Sequence, residues 1–185
     1  MDFMMEKIAK FLIIFLMLFS GSNMYSNEKN KKEEEKAYLK YAREIVQTFT
    51  NEIRRDFGLC ACEDGGRMRN DVEMISVDFI AYQQATIDQA RELLIKVHER
   101  FLKIINSHEK IRPFLREYPF TQDRARVAIA FYNKKNNYYY RDGSVAFVYH
   151  IRGNIFYDKE DPKTEMLEDL HKEPFKEALK KVNTI

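Results

Sequence analysis

The sequence lacks tryptophan altogether and has only two cysteines, Cys60 and Cys62, among its 185 residues. A disulfide between cysteines one residue apart would close a strained ring, because successive side chains on an extended chain point in opposite directions. We therefore expect two loop cysteines, free or oxidised. The alternative is a redox or metal-binding Cys-x-Cys pair.

Histidine is scarce as well, and its spacing argues against the common metal sites. None of the four histidines pairs with another at the spacing of zinc ligands; they are His98, His108, His150 and His171. His98 and His108 each precede a glutamate, but a zinc protease needs a second histidine four residues further on. We expect no metal site and no cofactor.

The chain has almost no surplus of either charge, since 31 Lys and Arg accompany 29 Asp and Glu, for a formal net charge of +2. A nucleic-acid-binding protein normally concentrates its basic residues on one face, so we expect no nucleic-acid partner. The sequence also has no Asn-x-Ser/Thr site. That absence favours a bacterial envelope protein over a eukaryotic secreted glycoprotein.

The longest unbroken apolar run, Phe11 to Phe19, is too short to span a bilayer, which takes about 20 apolar residues. Two lysines precede the run and Ser20-Gly21-Ser22 follows it, which is the order of a secretory signal peptide. We predict a signal peptide over residues 1–22, cleaved near Ser22. The mature protein would be periplasmic or secreted and would keep no stable membrane span. The alternative is retention of the segment as an uncleaved anchor.

The rest of the chain divides into a linker and a domain. Residues 23–35 are predicted to be a charged linker, because residues 27–36 contain no apolar side chain. Residues 36–185 are long enough for a single domain with its own hydrophobic core.

Helical spacing of apolar residues predicts two long helices in this domain. The first apolar stripe runs from Tyr38 to Ile53 and stops before Gly58, a residue typical of helix ends. The second runs from Ile87 to Ile105. Between them, Gly65-Gly66 predicts a flexible turn.

Alternating apolar residues predict four strands. The first lies within Val72–Tyr82 and buries Ile75, Val77, Phe79 and Ala81. Three later runs, 126–132, 145–151 and 154–157, are separated by turns and predict an antiparallel meander. A last amphipathic helix begins at Phe175. We predict an α+β fold with two layers, in which the long helices pack on one face of an about four-stranded, mostly antiparallel sheet.

The segment Asn106–Phe120 mixes charged, aromatic and proline residues where a helix gives way to a strand. Loops of this composition often hold binding sites, so its charged members are candidate binding residues: Glu109, Arg112, Arg116 and Glu117. Pro113 disfavours helical geometry at Arg112, whose side chain we expect to reach Glu109 or Glu117. The alternative, which we favour, is structural: the aromatic residues close the core and the charges hold the turn.

A second candidate surface is the tyrosine-rich tip of the predicted hairpin, 138–141. Exposed tyrosine beside arginine is typical of a contact surface. Strand alternation would expose either Tyr139 with Arg141 or Tyr138 with Tyr140.

Several segments of the chain resemble a family of exported proteins of intracellular bacteria. They are Ile75–Phe79, Ala90–Leu94 and, most specifically, the block Glu109-Lys110-Ile111-Arg112-Pro113-x-Leu115-x-x-Tyr118-Pro119-Phe120. The resemblance covers roughly residues 36 to 182. It implies export and a single domain, and it assigns no catalytic residue.

Two functional hypotheses follow. The first is an exported, non-enzymatic binding or interaction domain of a bacterial envelope or secretome, with a protein or a small molecule as its ligand. The second is a small, hydrolase-like envelope enzyme, in which Glu109, Arg112 and Glu117, with His108 or His150, form an acid/base and anion-holding cluster around residues 108–117. The enzyme requires these side chains to converge in one pocket.

Overall fold

The computed structural model describes residues 37–184, so the predicted signal peptide and charged linker lie outside the described residues. Residues 40–184 form one compact unit. The helices and strands, in chain order, are α1 (37–57), β1 (Cys60–Arg67), β2 (Met74–Ala81), α2 (Ile87–Ser107), a 3-10 helix (Glu109–Phe114), β3 (Ala125–Phe131), β4 (Phe147–Ile151), β5 (Asn154–Glu160), β6 (Leu167–Pro174) and α3 (Phe175–Asn183). Within residues 37–184, no helix is long and apolar enough to cross a membrane.

The six strands form one open sheet in the order β1-β2-β3-β4-β5-β6. Strands β2 and β3 are parallel, and every other neighbouring pair is antiparallel. The α+β class is confirmed, and so is the β3-β4-β5 meander. The predicted strand count of about four is too low, because β1 and β6 were not predicted.

The predicted turn at Gly65-Gly66 is wrong, since both glycines lie inside β1. Gly66 pairs with Ile75 of β2, and a Cβ on Gly66 would come within 2.3 Å of the Met74 carbonyl oxygen. The two backbones approach too closely here for any side chain. Glycine at position 66 therefore permits β1 to pair with β2, although the two glycines in the sequence suggested a turn.

Helix α1 ends, and helix α2 begins, where the sequence indicates. Gly58 has a φ of +69°, and its amide donates to the Arg54 carbonyl oxygen at 3.0 Å, which closes α1. At the start of α2, the Thr86 hydroxyl accepts from the Gln89 amide while the Gln89 side chain accepts from the Thr86 amide. This reciprocal capping fixes where α2 begins.

The hydrophobic core lies between the helices and one face of the sheet. Phe49 of α1 stacks on Phe101 of α2 with ring centroids 4.2 Å apart, and it meets Phe79 of β2 edge-on at 5.5 Å. All three rings are completely buried. The predicted inward face of β2 is confirmed, because Ile75, Val77, Phe79 and Ala81 are its buried residues.

Strand β4 buries Val148 and His150. The alternating apolar residues of this run, Phe147, Tyr149 and Ile151, are not its buried residues. Val148 pairs with the fully buried Ile129 of β3 and so faces the helices. Phe147 and Tyr149 point to the opposite face, where Tyr149 stacks on Phe156 of β5 at 5.2 Å. The sheet therefore carries aromatic side chains on the face that the helices leave open.

A buried ionic cluster joins α2 to β6 and α3. The Glu173 carboxylate accepts from Arg91 Nε at 2.5 Å, from the Tyr157 hydroxyl at 2.7 Å and from Lys181 Nζ at 2.7 Å. Asp88 provides Arg91 with a second carboxylate. Burial opposes the charge on Glu173, but the three donors outweigh burial and hold the pKa of Glu173 below its ordinary value.

Candidate functional site

The predicted 106–120 block contains a 3-10 helix over Glu109–Phe114, which includes Pro113. Arg112 does not reach Glu109 or Glu117, so that expectation is wrong. Its Nη2 atom donates to the Asn106 carbonyl oxygen at 3.3 Å, and its guanidinium lies 5.0 Å from the centre of the Tyr118 ring. Arg112 lies within the 3-10 helix in spite of Pro113, and its side chain contacts the end of α2 at Asn106.

Arg116 joins the block to the β1–β2 connection. Its guanidinium makes two 2.9 Å hydrogen bonds to Asp71 and lies 2.8 Å from Glu73. The hydrogen bond from Arg116 holds the pKa of Asp71 below its ordinary value. This arrangement braces the short bridge between Val72 and Leu115.

The other charged members of the block point in different directions. His108 Nε2 lies 3.6 Å from Glu44 of α1, whereas Glu109 is exposed. Glu117 accepts from the Thr121 hydroxyl at 2.7 Å and from Arg124 Nε at 2.5 Å, and these bonds lower its pKa. Of the residues proposed for the acid/base cluster, only Glu117 and His150 line one common cleft.

The exposed residues of the tyrosine-rich tip, Tyr138 and Arg141, match neither predicted pair. Tyr138 is the most exposed of its three tyrosines, while Tyr139 is half-buried and stacks on Tyr132 at 4.6 Å. Arg141 is engaged with two carboxylates, Glu160 at 2.9 Å and Glu165 at 2.8 Å. A hollow of about 390 Å³ is lined by the three tyrosines, Arg141 and Glu165. The two carboxylates already neutralise the charge of its arginine.

Both cysteines lie in strand β1 rather than in a loop, and both are free. The Cys62 thiol donates to the Asp78 carbonyl oxygen at 3.3 Å. Burial, reinforced by the Asp78 charge, raises the pKa of this thiol, which disfavours the reactive thiolate. Within the part of the chain that the structure describes, no group of three or more His, Cys, Asp or Glu residues is placed to hold a metal ion.

A cleft of about 1120 Å³, which we call the arginine cleft, lies at one end of the sheet. Because β2 and β3 are parallel, both begin at this end, and the antiparallel β4 finishes there. The charged residues that line it are Arg67, Arg124, Arg126, Arg152, Glu117 and Asp123. Four arginines and two carboxylates give the lining a net positive charge.

Two of the four arginines are paired within the protein. Arg67 lies 3.2 Å from Glu73, and Arg124 binds Glu117 and donates to the Glu73 carbonyl oxygen at 3.2 Å. No described carboxylate lies within ion-pair distance of Arg126 or Arg152. Arg126 Nε is buried without a hydrogen-bond partner among the described residues.

Comparison of the chain with protein-family models, curated proteins and solved structures gave no match. The resemblance of the 109–120 block to exported proteins of intracellular bacteria therefore stays a prediction.

His150 lines the arginine cleft and packs against a second buried histidine, His98. The rings of His98 and His150 meet edge-on at 5.3 Å, and Phe175 packs against both. His98 Nε2 donates to the Gln122 carbonyl oxygen at 3.2 Å, and His150 Nε2 lies 3.5 Å from Asp123. Burial, with the neighbouring His150, lowers the pKa of His98 to about 4; burial lowers that of His150 as well.

We expect His98 to lower the free energy of unfolding as the pH drops below 6.5, the ordinary pKa of histidine. Between pH 6.5 and 4, the unfolded chain takes up a proton on His98 that the folded chain does not. At pH 5 this difference amounts to about 2 kcal/mol. Urea unfolding at pH 7 and pH 5 measures it.

The matched variants for this prediction are His98→Gln and His171→Gln. In His98→Gln, the difference in the free energy of unfolding between pH 7 and pH 5 should be about 2 kcal/mol smaller than in the wild type. His171 lies outside the buried pair, so His171→Gln should keep the full difference. An unchanged pH dependence in His98→Gln would contradict the assignment.

Sequence reasoning missed every arginine of the cleft. Arg67, Arg124 and Arg152 lie far apart along the chain, and only the pairing of β1, β2, β3 and β4 brings them to one end of the sheet. Arg126 offered a weak signal, because it is a charged residue inside an apolar alternating run. Such a residue is usually solvated on the outer face of a strand.

Proposed function

We propose that this protein is an exported, non-enzymatic binding domain and that the arginine cleft holds its ligand. One observation carries the proposal: where β2 and β3 begin and β4 ends, an open cleft gathers two arginines, Arg126 and Arg152, that have no carboxylate partner among the described residues. The buried Nε–H of Arg126 also lacks an acceptor within the described part of the chain. Concave sites with a few convergent polar groups are the usual location of small-molecule ligands. Export is supported by the signal-peptide pattern of residues 1–22.

The enzyme alternative has weaker support. A general acid or base needs a pKa near the working pH and access to the substrate. Glu117 is held ionised by Arg124 and Thr121, and His150 is buried with a lowered pKa. Glu109, Arg112 and His108 lie outside the cleft. This dispersal favours binding over catalysis.

Hydrogen exchange tests the location of the site. The purified full chain is incubated with the small-molecule fraction of a bacterial extract, and amide exchange is followed by mass spectrometry. We expect slower exchange in residues 117–126 and 150–153, which line the cleft, and unchanged exchange in residues 43–57 of α1. Protection confined to other segments, or none at all, would reject the cleft as the ligand site.

The same incubation separates binding from catalysis. A binding domain leaves the composition of the extract unchanged over hours at substoichiometric protein. Steady conversion of one component would instead support the enzyme, and Glu117→Gln would then be the first variant to assay.

A further inference from the structure

Arg126 holds an unusual position for a charged side chain. It lies in β3 opposite Ser76 of β2, on the sheet face that the helices leave open. Its guanidinium acts electrostatically on Asp78 and Tyr149, yet it forms no ion pair with either. Arginine keeps its charge at every physiological pH, so its buried Nε–H is a permanent donor, and no residue within 37–184 accepts from it.

A buried donor without an acceptor lowers the stability of the fold, and the positive charges around Arg126 favour the binding of an anion. Losing the hydrogen bond of a buried polar group destabilises a protein more than the bond itself stabilises it, and charged groups cost most. Arg152, in the β4–β5 turn, adds a second guanidinium without a carboxylate among the described residues. An anion entering the arginine cleft would meet two cations that no described carboxylate neutralises.

We infer that the arginine cleft binds an oxyanion, a carboxylate or a phosphate group, with Arg126 as its principal ligand. The planar guanidinium offers parallel N–H donors that match the two oxygens of such a group. The inference rests on the proposed function, because it names the ligand class of the same site.

The cleft also limits the charge and shape of this ligand. Glu117 and Asp123 share the lining, so a ligand with many negative charges would face repulsion within the same space. Met74 and Ile151 give the cleft apolar surface next to Arg126. The expected ligand is therefore a small molecule with one oxyanion group and an uncharged body, rather than a polyanion.

Titration with two simple probes tests the ligand class. Inorganic phosphate and acetate are each titrated into the purified full chain, with binding followed by calorimetry. We expect saturable binding of one probe at concentrations up to about 20 mM. Tighter binding of phosphate would assign a phosphorylated ligand, and tighter binding of acetate a carboxylic acid.

Variants assign the binding to Arg126. Arg126→Gln should weaken binding of the preferred probe about tenfold, and Arg126→Lys by less, because lysine keeps the charge but loses the planar fork. Arg43→Gln is the matched control, since Arg43 is exposed on α1 and lies outside the cleft. Should Arg126→Gln fail to fold, Arg152→Gln in the exposed turn should still weaken binding about threefold.

The outcomes separate this inference from the proposed function. Absence of saturable binding by either probe, or equal affinity in wild type, Arg126→Gln and Arg152→Gln, overturns the oxyanion site. If the cleft segments are nevertheless protected from exchange by the extract, the cleft binds a ligand of another class. If that protection is absent too, the proposed function fails with it.

Discussion

Replacing Glu173 by glutamine is expected to lower the free energy of unfolding by about 3 kcal/mol. Glu173 is only 5% exposed and is the shared acceptor for Arg91, Tyr157 and Lys181. Glutamine keeps the shape but removes the charge, so the buried Arg91 loses its buried carboxylate partner and keeps only the exposed Asp88. Urea unfolding at pH 7 measures the loss.

Glu177→Gln on α3 is the control for this change. Glu177 is exposed and pairs with Lys180 one turn away, an interaction worth about 0.5 kcal/mol or less. The contribution of Glu173 also depends on pH, because its pKa is lowered in the folded chain. It is fully present above the ordinary glutamate pKa and is lost as the pH falls through the folded value. A loss below about 1 kcal/mol at pH 7 would mean that the cluster does not hold β6 and α3 in place.

Phe101→Ala should cost about 3 to 5 kcal/mol, the largest effect that we expect from a single core truncation. The Phe101 ring is completely buried and stacks on Phe49, so removing it leaves a cavity between α1 and α2. The shift in the urea midpoint, at constant slope, gives the value.

Phe156→Ala makes the same chemical change on the open face of the sheet. Phe156 is partly exposed, stacks on Tyr149 and lies under Lys172. Its loss should cost about 1 kcal/mol, since little apolar surface leaves contact and no closed cavity forms. Equal costs for the two variants would mean that the helices do not cover the face that buries Phe101.

The elements that were predicted are those whose burial leaves a regular trace in the sequence. Strand β2 has helices over one face only, so every second residue is apolar and its inward face could be read directly. The buried residues of helix α2 include an apolar stripe at intervals of three and four: Ala90, Leu94, Val97, Phe101 and Ile105. In both cases a single face decides the pattern.

The missed strands leave no such trace, because they lie at the edges of the sheet. Strand β1 has mostly exposed residues, and its Gly65-Gly66 pair suggests a turn rather than a strand. Strand β6 has charged residues at four of its eight positions and buries only Glu173. Backbone pairing holds both strands in the sheet, and pairing depends on a neighbour that the local sequence does not specify.

The candidate site was hidden for a related reason. The interpretation of residues 108–117 relied on charged residues that are close in sequence, yet these side chains bind Glu44, Asn106, Asp71 and Arg124 in separate places. The arginine cleft is built from single residues contributed by several strands and turns. Sequence proximity cannot reveal a site whose members meet only after the sheet is assembled.

The polar character of β1 and β6 has a consequence for the behaviour of the protein at high concentration. An open sheet offers unpaired backbone groups along its two outer strands, and identical molecules can add to such borders and grow into fibrils. Here an approaching copy would have to bring its own charges against Glu63 and Asp64 on one side, or Glu168 and Asp169 on the other. The residues that obscured these strands in the sequence thus act as gatekeepers against self-association.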